Sequence, residues 1–247
     1  MDRMLYVAMS GAKETMIAQA NNSNNLANAN APGFLADLQQ FRSMPLFGNG
    51  HPTRVYGLSE RPATDFTHGD QVHTGRNLDV AVAGDGWIAV QARDGTEAYT
   101  RRGDLQLDVN GLLTTGNGLP VIGNGGPIAI PPAEQLEIGP DGTISIVPLG
   151  QSPAEMAVID RIKLVNPPSD QLVKGLDGLV RLNSGEEATE DGALRLNSGT
   201  FEGSNVNIVD AMVDMIELSR RYEMQVKMMQ TAKSVEEASS RIMRLGS

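Results

Sequence analysis

Two long segments with helical periodicity close the chain at its ends, residues 2–30 and 206–245, and a middle rich in glycine and turn residues separates them. Helices of such length bury their apolar seams only against other helices, so the ends must pack on each other or on other chains. In the first segment Leu5, Met9, Ala12, Met16 and Leu26 fall near a 3–4 spacing, with Gln19 and Ser23 between them. This predicts an amphipathic helix from about Asp2 to Asn30, ended by Pro32-Gly33 and about 40 Å long. Six Asn lie between residues 21 and 30, and no charged residue occurs from Thr15 to Ala36. That stretch is too polar to span a membrane and too poor in charge for a solvated helix face. It suits a helix surrounded by protein, where amides hydrogen-bond to neighbours. Asn is a weak helix former, so the isolated segment is expected to fray and the ends to be disordered before assembly.

The C-terminal helix is marked more strongly. Asn207 with Asp210 resembles a capping box. Ile208, Met212, Met215, Tyr222, Val226 and Met229 follow a 3–4 seam interrupted by Ser219, which drifts on through Ala232, Val235, Ala238, Ile242 and Leu245. Glu217–Arg221, Glu223–Lys227 and Glu237–Arg241 are i,i+4 pairs in the favourable order, worth about 0.2–0.5 kcal/mol each. Roughly 40 residues give a helix about 60 Å long. Aromatics are scarce while methionine is frequent, and methionine adapts to irregular helix–helix gaps.

Between the ends, residues 33–66 mix apolar residues with Gly48, Gly50, Pro52 and Pro62 and predict an extended connector with short strands. Residues 67–200 read as a compact all-β domain. Asp94-Gly95, Asn110-Gly111 and Asp141-Gly142 are hairpin signals, and Gly84-Asp85-Gly86 predicts a turn. Arg181–Gly185 and Arg195–Gly199 share the pattern Arg-Leu-Asn-Ser-Gly and predict two similar strand–turn units. The expected architecture is therefore α+β. Long N- and C-terminal helices pair as a coiled-coil-like hairpin with a central all-β domain of short strands. The expected boundaries are 1–32, 33–66, 67–200 and 201–247.

Charge follows the same partition. Residues 1–30 carry two acids and two bases and residues 206–247 six of each, so the whole net charge of −10 sits in residues 31–205. Neutral ends can pack densely and an acidic middle favours water. An acidic chain without a basic patch argues against nucleic-acid binding. There is no cysteine, and no basic start leads into a continuous apolar run as in a secretory signal. No stretch reaches the roughly 18 apolar residues of a membrane span, so no membrane insertion is expected.

Candidate chemistry is sparse. His51, His68 and His73 lack a third ligand at a telling spacing and read as surface or turn residues. Gly123-Asn124-Gly125-Gly126-Pro127 lacks the lysine and hydroxyl of a phosphate loop and reads as a turn. Glu186–Asp191 reads as a solvated acidic loop. No catalytic, cofactor-binding or metal-binding residue is predicted, and no cofactor.

Three sets of residues resemble the flagellar axial proteins that build the rod and hook. Asn24-Asn25-Leu26-Ala27-Asn28 followed by Gly33-Phe34 is similar to the N-terminal signature of that family. Thr74–Val82, Gly84-Asp85-Gly86-Trp87, Tyr99–Gly103 and Asp108–Leu113 are similar to its β domain. Glu202–Asn207, Met212-Val213, Met215-Ile216 and Arg221-Tyr222-Glu223 match at the C-terminus, and the three sets occur in the family's order. Ala31-Pro32 stands where the family more often has Thr before Gly-Phe. Length separates the chain from hook members. The tail Glu223–Ala232, with Gln225 after Tyr222-Glu223, resembles proximal-rod members, and the distal rod protein is the alternative.

The resemblance implies a non-catalytic building block of the rod, the drive shaft crossing the periplasm. It also implies passage, unfolded, through the flagellar type III export apparatus, and assembly with other rod proteins and with copies of itself. The terminal helices would form an inner tube, with the β domain as the outer part. Interface candidates are Leu5, Met9, Met16, Asn24, Asn25 and Leu26 on the first helix. On the second they are Met212, Met215, Ile216, Tyr222, Val226 and Met229. A periplasmic enzyme or a secreted adhesin is a remote alternative.

Overall fold

The computed structural model describes residues 2–39, 41–45, 55–59, 63–150 and 156–245. His51 and the connector residues Gly48, Gly50, Pro52 and Pro62 lie outside them. The fold is α+β, with a helix at each end of the chain and a strand-rich region between them in sequence. Two units form, one from Met1–Ala29, Ala36–Asp65 and Val206–Ser247, the other from Asn30–Leu35 and Phe66–Asn205.

In the first unit, helix α1 spans Asp2–Ala27. It stops before the predicted Asn30: the Asn28 N–H is shared between the Asn24 and Asn25 carbonyls, both at 3.1 Å, and the Ala29 N–H donates three residues back to Leu26 at 3.3 Å, which tightens the turn out of the α-helix. Helix α2 spans Ile208–Leu245. Asn207 caps it, its side-chain oxygen accepting from the N–H groups of Val209 (3.0 Å) and Asp210 (3.4 Å). The short strands β1 (Asp37–Leu38), β2 (Phe41–Pro45), β3 (Val55–Ser59) and β4 (Ala63–Thr64) pair antiparallel, β2 with β3 and β1 with β4.

The two helices are in contact and run antiparallel. Thr15 Oγ1 lies 3.3 Å from Gln225 Oε1, Gln19 Nε2 donates to Ser219 Oγ at 3.4 Å, and Asn22 Nδ2 donates to the Ala211 carbonyl at 2.6 Å. A stripe of covered positions on α1 runs through Leu5, Ala8, Ala12, Thr15, Gln19, Asn22 and Leu26 in alternating steps of three and four, with Ala18 buried beside it. On α2 they are Ala211, Met215, Leu218, Tyr222, Gln225, Met229 and Ala232, in the same steps. Along the middle of the seam Ala8, Ala12 and Thr15 on α1 are small where α2 carries Tyr222, Gln225 and Met229. A Cβ on Gly11 would sit 2.9 Å from Gln225 Nε2, the end of a side chain that reaches across to α1 there.

In the second unit, sixteen short strands among the described residues surround two clusters of buried side chains. In order they are β5 (Gln71–His73), β6 (Val80–Ala83), β7 (Trp87–Gln91), β8 (Glu97–Thr100), β9 (Leu105–Leu107) and β10 (Leu113–Thr115). Then come β11 (Ile122–Gly123), β12 (Gly126–Pro127), β13 (Ala133–Ile138), β14 (Thr143–Pro148) and β15 (Ala157–Arg161). The last are β16 (Leu164–Val165), β17 (Leu172–Lys174), β18 (Val180–Leu182), β19 (Arg195–Ser198) and β20 (Thr200–Glu202). The five-stranded sheet runs β16-β7-β8-β18-β17. On β7, an inner strand of this sheet, Trp87, Ile88, Ala89 and Val90 are all buried, because Ile88 and Val90 join one cluster while Trp87 and Ala89 join the other. A continuous apolar run on a strand covered on both faces is the result.

The hairpin signals act locally. Asp94-Gly95 joins β7 to β8, Asn110-Gly111 lies between β9 and β10, and Asp141-Gly142 joins β13 to β14. Asp94 and Asp141 each accept from the N–H and hydroxyl of the threonine two residues on, and these bonds hold both carboxyls below the ordinary aspartate range. The Gly-rich run at 123–127 closes the β11–β12 hairpin. Both Arg-Leu-Asn-Ser-Gly copies are a strand followed by a turn, although β18 pairs with β17 and β8 while β19 pairs with β6. The acidic loop is not wholly solvated. Ala188 is buried within it, and its N–H donates to the Tyr99 hydroxyl at 2.6 Å.

Segments 30–35, 66–70 and 202–205 are stitched together in this unit. Gly33 N–H donates to the Glu202 carbonyl (2.8 Å), Gly203 N–H to the Asp70 carbonyl (2.8 Å) and Asn205 N–H to the Phe34 carbonyl (3.2 Å). Gly33 has φ +63°, and a Cβ there would lie 2.3 Å from the Arg102 nitrogen, so no other residue fits. Beneath the junction the Glu202 carboxylate, 2 % exposed, pairs with Arg101, 3 % exposed, at 2.7 Å. Glu202 also accepts from Gly69 N–H at 3.1 Å, and Arg101 donates to the carbonyls of Gly84 and Gly86 at 2.9 and 2.6 Å.

Removing one partner leaves a buried charge alone. Arg101→Ala or Glu202→Ala is therefore expected to lower the stability of the β unit by about 3–5 kcal/mol. The two changes combined should cost well under the sum, as denaturant titration followed on the single tryptophan, Trp87, will report. Burial, with Glu97 and Glu187 nearby, pushes the Tyr99 phenol up to about 12. Below pH 10 its contribution to stability is complete, and it is lost as pH rises from there toward 12, because the unfolded chain loses this proton first. Ultraviolet titration of Tyr99→Phe against the parent chain checks this. In the helix pair, Gly11→Ala should change stability by less than about 1 kcal/mol, since the helix gains propensity while Gln225 shifts. Gly11→Leu should separate the helices and lower the helical melting temperature by circular dichroism.

Candidate functional site

The side chains that the helix pair does not cover form its second face. On α1 Tyr6, Met9, Met16 and Ile17 are exposed, and on α2 Val209, Met212, Val213, Ile216, Met224 and Met228 are exposed. Met9, Met16, Met212 and Ile216 are 53, 61, 52 and 56 % exposed, which is far more apolar surface than one helix pair ordinarily leaves to water. Val209, Val213 and Ile216 recur at steps of four and three, and Met224 and Met228 continue the line past Arg220. α2 is thus apolar on two faces, one turned to α1 and one turned outward.

The predicted interface residues divide between these faces. Met9, Met16, Asn24, Met212 and Ile216 are exposed; Leu5, Asn25, Leu26, Met215, Tyr222, Val226 and Met229 are half-buried. Asn25 works within the chain. Its Nδ2 donates to the Asp37 carbonyl and its Oδ1 accepts from the Asp37 N–H, both at 3.0 Å, so one amide stands in for a strand partner of β1. The outward line through Val209, Val213, Met224 and Met228 was not among the predicted residues. Its signal was a second heptad stripe beside the one followed through Tyr222.

Where α1, β1 and α2 meet, a cleft of about 300 Å³ opens. Its lining is mixed, with Ala18, Leu38 and Leu218 beside Asn21, Asn25, Asp37, Asp214, Glu217 and Arg221. Arg221 pairs with Glu217 at 3.1 Å. In the β unit His68 Nε2 lies 2.7 Å from Asp85 Oδ1, and His73 Nδ1 lies 3.4 Å from Thr200 Oγ1. Among the described residues no group of three His, Cys, Asp or Glu is placed to hold a metal ion. Among them, too, no helix is long and apolar enough to cross a membrane.

Comparison with known proteins accounts for this arrangement. Three family models match along the chain. "Flagella basal body rod protein" covers residues 5–34, "Flagellar hook protein FlgE/F/G D1 domain" residues 81–146, and "Flagellar basal body rod FlgEFG protein C-terminal" residues 197–242. The flagellar basal-body rod protein FlgF of Escherichia coli is 45 % identical over 233 residues, 92 % of each chain. FlgF of Salmonella typhimurium is 43 % identical over the same share of each chain. The rod protein FlgG of Bacillus subtilis is 34 % identical over 94 % of this chain and 96 % of its own. With matches at both helices and in the β unit, and identity of this order over nearly its whole length, the chain belongs to the FlgF family of flagellar basal-body rod proteins.

Proposed function

We propose that this structural subunit of the flagellar basal-body rod serves in the proximal rod, and that its terminal helices, paired in coiled-coil fashion, build the shaft by packing against neighbouring subunits. The exposed apolar outer faces of α1 and α2 carry this reading. The inner-tube role falls to residues 1–32 and 201–247, the outer role to residues 67–200, with residues 33–66 connecting them. Neighbours are other rod proteins and further copies, held through the exposed Met9, Met16, Asn24, Met212 and Ile216, while Leu5, Asn25, Leu26, Met215, Tyr222, Val226 and Met229 support that contact from within the subunit. Contacts of this kind repeated head to tail give an open helical assembly. Close packing of many such helices resists twisting, so torque passes along the shaft. Delivery is through the flagellar type III export apparatus with the chain unfolded. The chain is not an enzyme; its family is structural.

The distal rod is the runner-up position. Identity of 45 % to a FlgF against 34 % to a FlgG favours the proximal one. A strain lacking the gene should stop before the proximal rod is complete, as purified hook–basal bodies will show; arrest only after that stage would mean a distal role. Deletion of residues 230–247 should leave the β unit folded, by circular dichroism and Trp87 fluorescence, while the chain disappears from purified basal bodies. Normal incorporation of the shortened chain would defeat the helix-packing mechanism.

A further inference from the structure

Methionine holds all of the chain's sulfur, because there is no cysteine. The fold separates two groups of thioethers on the helix pair. Met215 and Met229 lie half-buried in the seam between α1 and α2. Met9 and Met16 on α1, and Met212 and Met224 on α2, are each more than half exposed and turn away from that seam. Met9 and Met16 stand seven residues apart, so they share one line along α1, about 10 Å from each other. Met156, just before β15, is exposed as well but belongs to the β unit.

The exposure that lets these side chains meet a neighbour also lets an oxidant reach them. With hydrogen peroxide the sulfur lone pair attacks one peroxide oxygen, the O–O bond breaks and an S–O bond forms. The other oxygen leaves with the proton as water. Sulfur loses two electrons and the peroxide gains them. The sulfoxide is polar and chiral where the thioether was apolar. In the seam such a change would act on the subunit's own fold. On the outward face the S–O dipole is solvated in a free subunit, and a neighbour that covers it must strip that water away.

Resting on the rod reading above, we propose that Met9, Met16, Met212 and Met224 are oxidation sites of the free subunit, and that their sulfoxides bar it from the shaft while leaving its fold intact. The modification acts only before incorporation, since a neighbour seated on this face covers the sulfurs. It is reversible, because sulfoxide reductases return the thioether. Oxidised subunits are refused, and subunits already built in are protected.

The purified full chain is treated with dilute hydrogen peroxide and digested at intervals for mass spectrometry. Met9, Met16, Met212 and Met224 should oxidise at least about threefold faster than Met215 and Met229, with the far-ultraviolet circular dichroism unchanged. Equal rates, or loss of helix in step with oxidation, overturn the proposal. In cells, Met9→Gln, Met16→Gln, Met212→Gln and Met224→Gln together put an uncharged polar group in place of each thioether, as the sulfoxide does. That chain should enter purified basal bodies at least about tenfold less than the parent, while Met156→Gln should enter as the parent does. The same four positions changed to leucine, apolar and inert to peroxide, should enter at least about fivefold better than the glutamine chain. Entry of the glutamine chain at the parent level, or equal loss in the leucine chain, overturns the proposal. If the fourfold glutamine chain loses helix, Met16→Gln and Met212→Gln singly carry the comparison, each expected to lower entry at least about twofold. Peroxide treatment of basal bodies separates the two readings. Parent chain that is present there with all four sulfurs as reactive as in the free chain defeats the packing reading. Protected sulfurs with normal entry of the glutamine chain defeat this proposal alone.

Discussion

The buried pair of Arg101 with Glu202 is the contact on which the β unit depends. Its strands are two to six residues long, too short to hold a sheet by ladder bonds alone. The chain enters this unit at residues 30–35 and again at 66, and it leaves at 205. Glu202 gathers those passages. Its carbonyl takes the Gly33 N–H, its carboxylate takes the Gly69 N–H, and its charge is balanced by an arginine that also satisfies the turn carbonyls of Gly84 and Gly86. Two charges placed out of water hold their arrangement because every other arrangement leaves one of them unmatched.

The helix pair solves a different problem. Its inner seam sets Leu5, Ala8, Ala12, Thr15, Gln19, Asn22 and Leu26 of α1 against Ala211, Met215, Leu218, Tyr222, Gln225, Met229 and Ala232 of α2, and the amide and hydroxyl contacts along it fix one register. Several methionines lie on the outside. Met9, Met16, Met212, Met224 and Met228 face away from the partner helix within the chain. Flexible, polarisable side chains on an outward face suit contact with neighbours that are similar to one another without being identical. The sequence and the fold agree here: what is fixed by shape is inside the subunit, and what must adapt is outside it.

Features set by a few consecutive residues were readable before the fold was known. The Asp-Gly-Thr turns at 94–96 and 141–143, the Asn207 cap and both helices depend on bonds made within four residues. The flagellar resemblance was readable too, since its motifs are local. Features that join distant residues were not. Nothing near Tyr99 announces that its hydroxyl receives the Ala188 N–H, and nothing near Glu202 announces Arg101. The assignment of α2's residues to inner and outer faces also escaped, because two apolar stripes at heptad spacing overlap in one sequence and only the position of α1 separates them. Within the Asn-rich run, Asn22 and Asn25 spend their amides inside the chain, whereas Asn24 is exposed.

The ladder between the helices consists of Thr15, Gln19, Asn22, Ser219 and Gln225. None of these groups titrates and none is charged, so neither acidity nor dissolved ions weaken the joint as they would an exposed ion pair. A rotating shaft assembled outside the cytoplasm meets whatever its surroundings bring, and this seam lets its parts keep the same alignment in dilute and briny media alike.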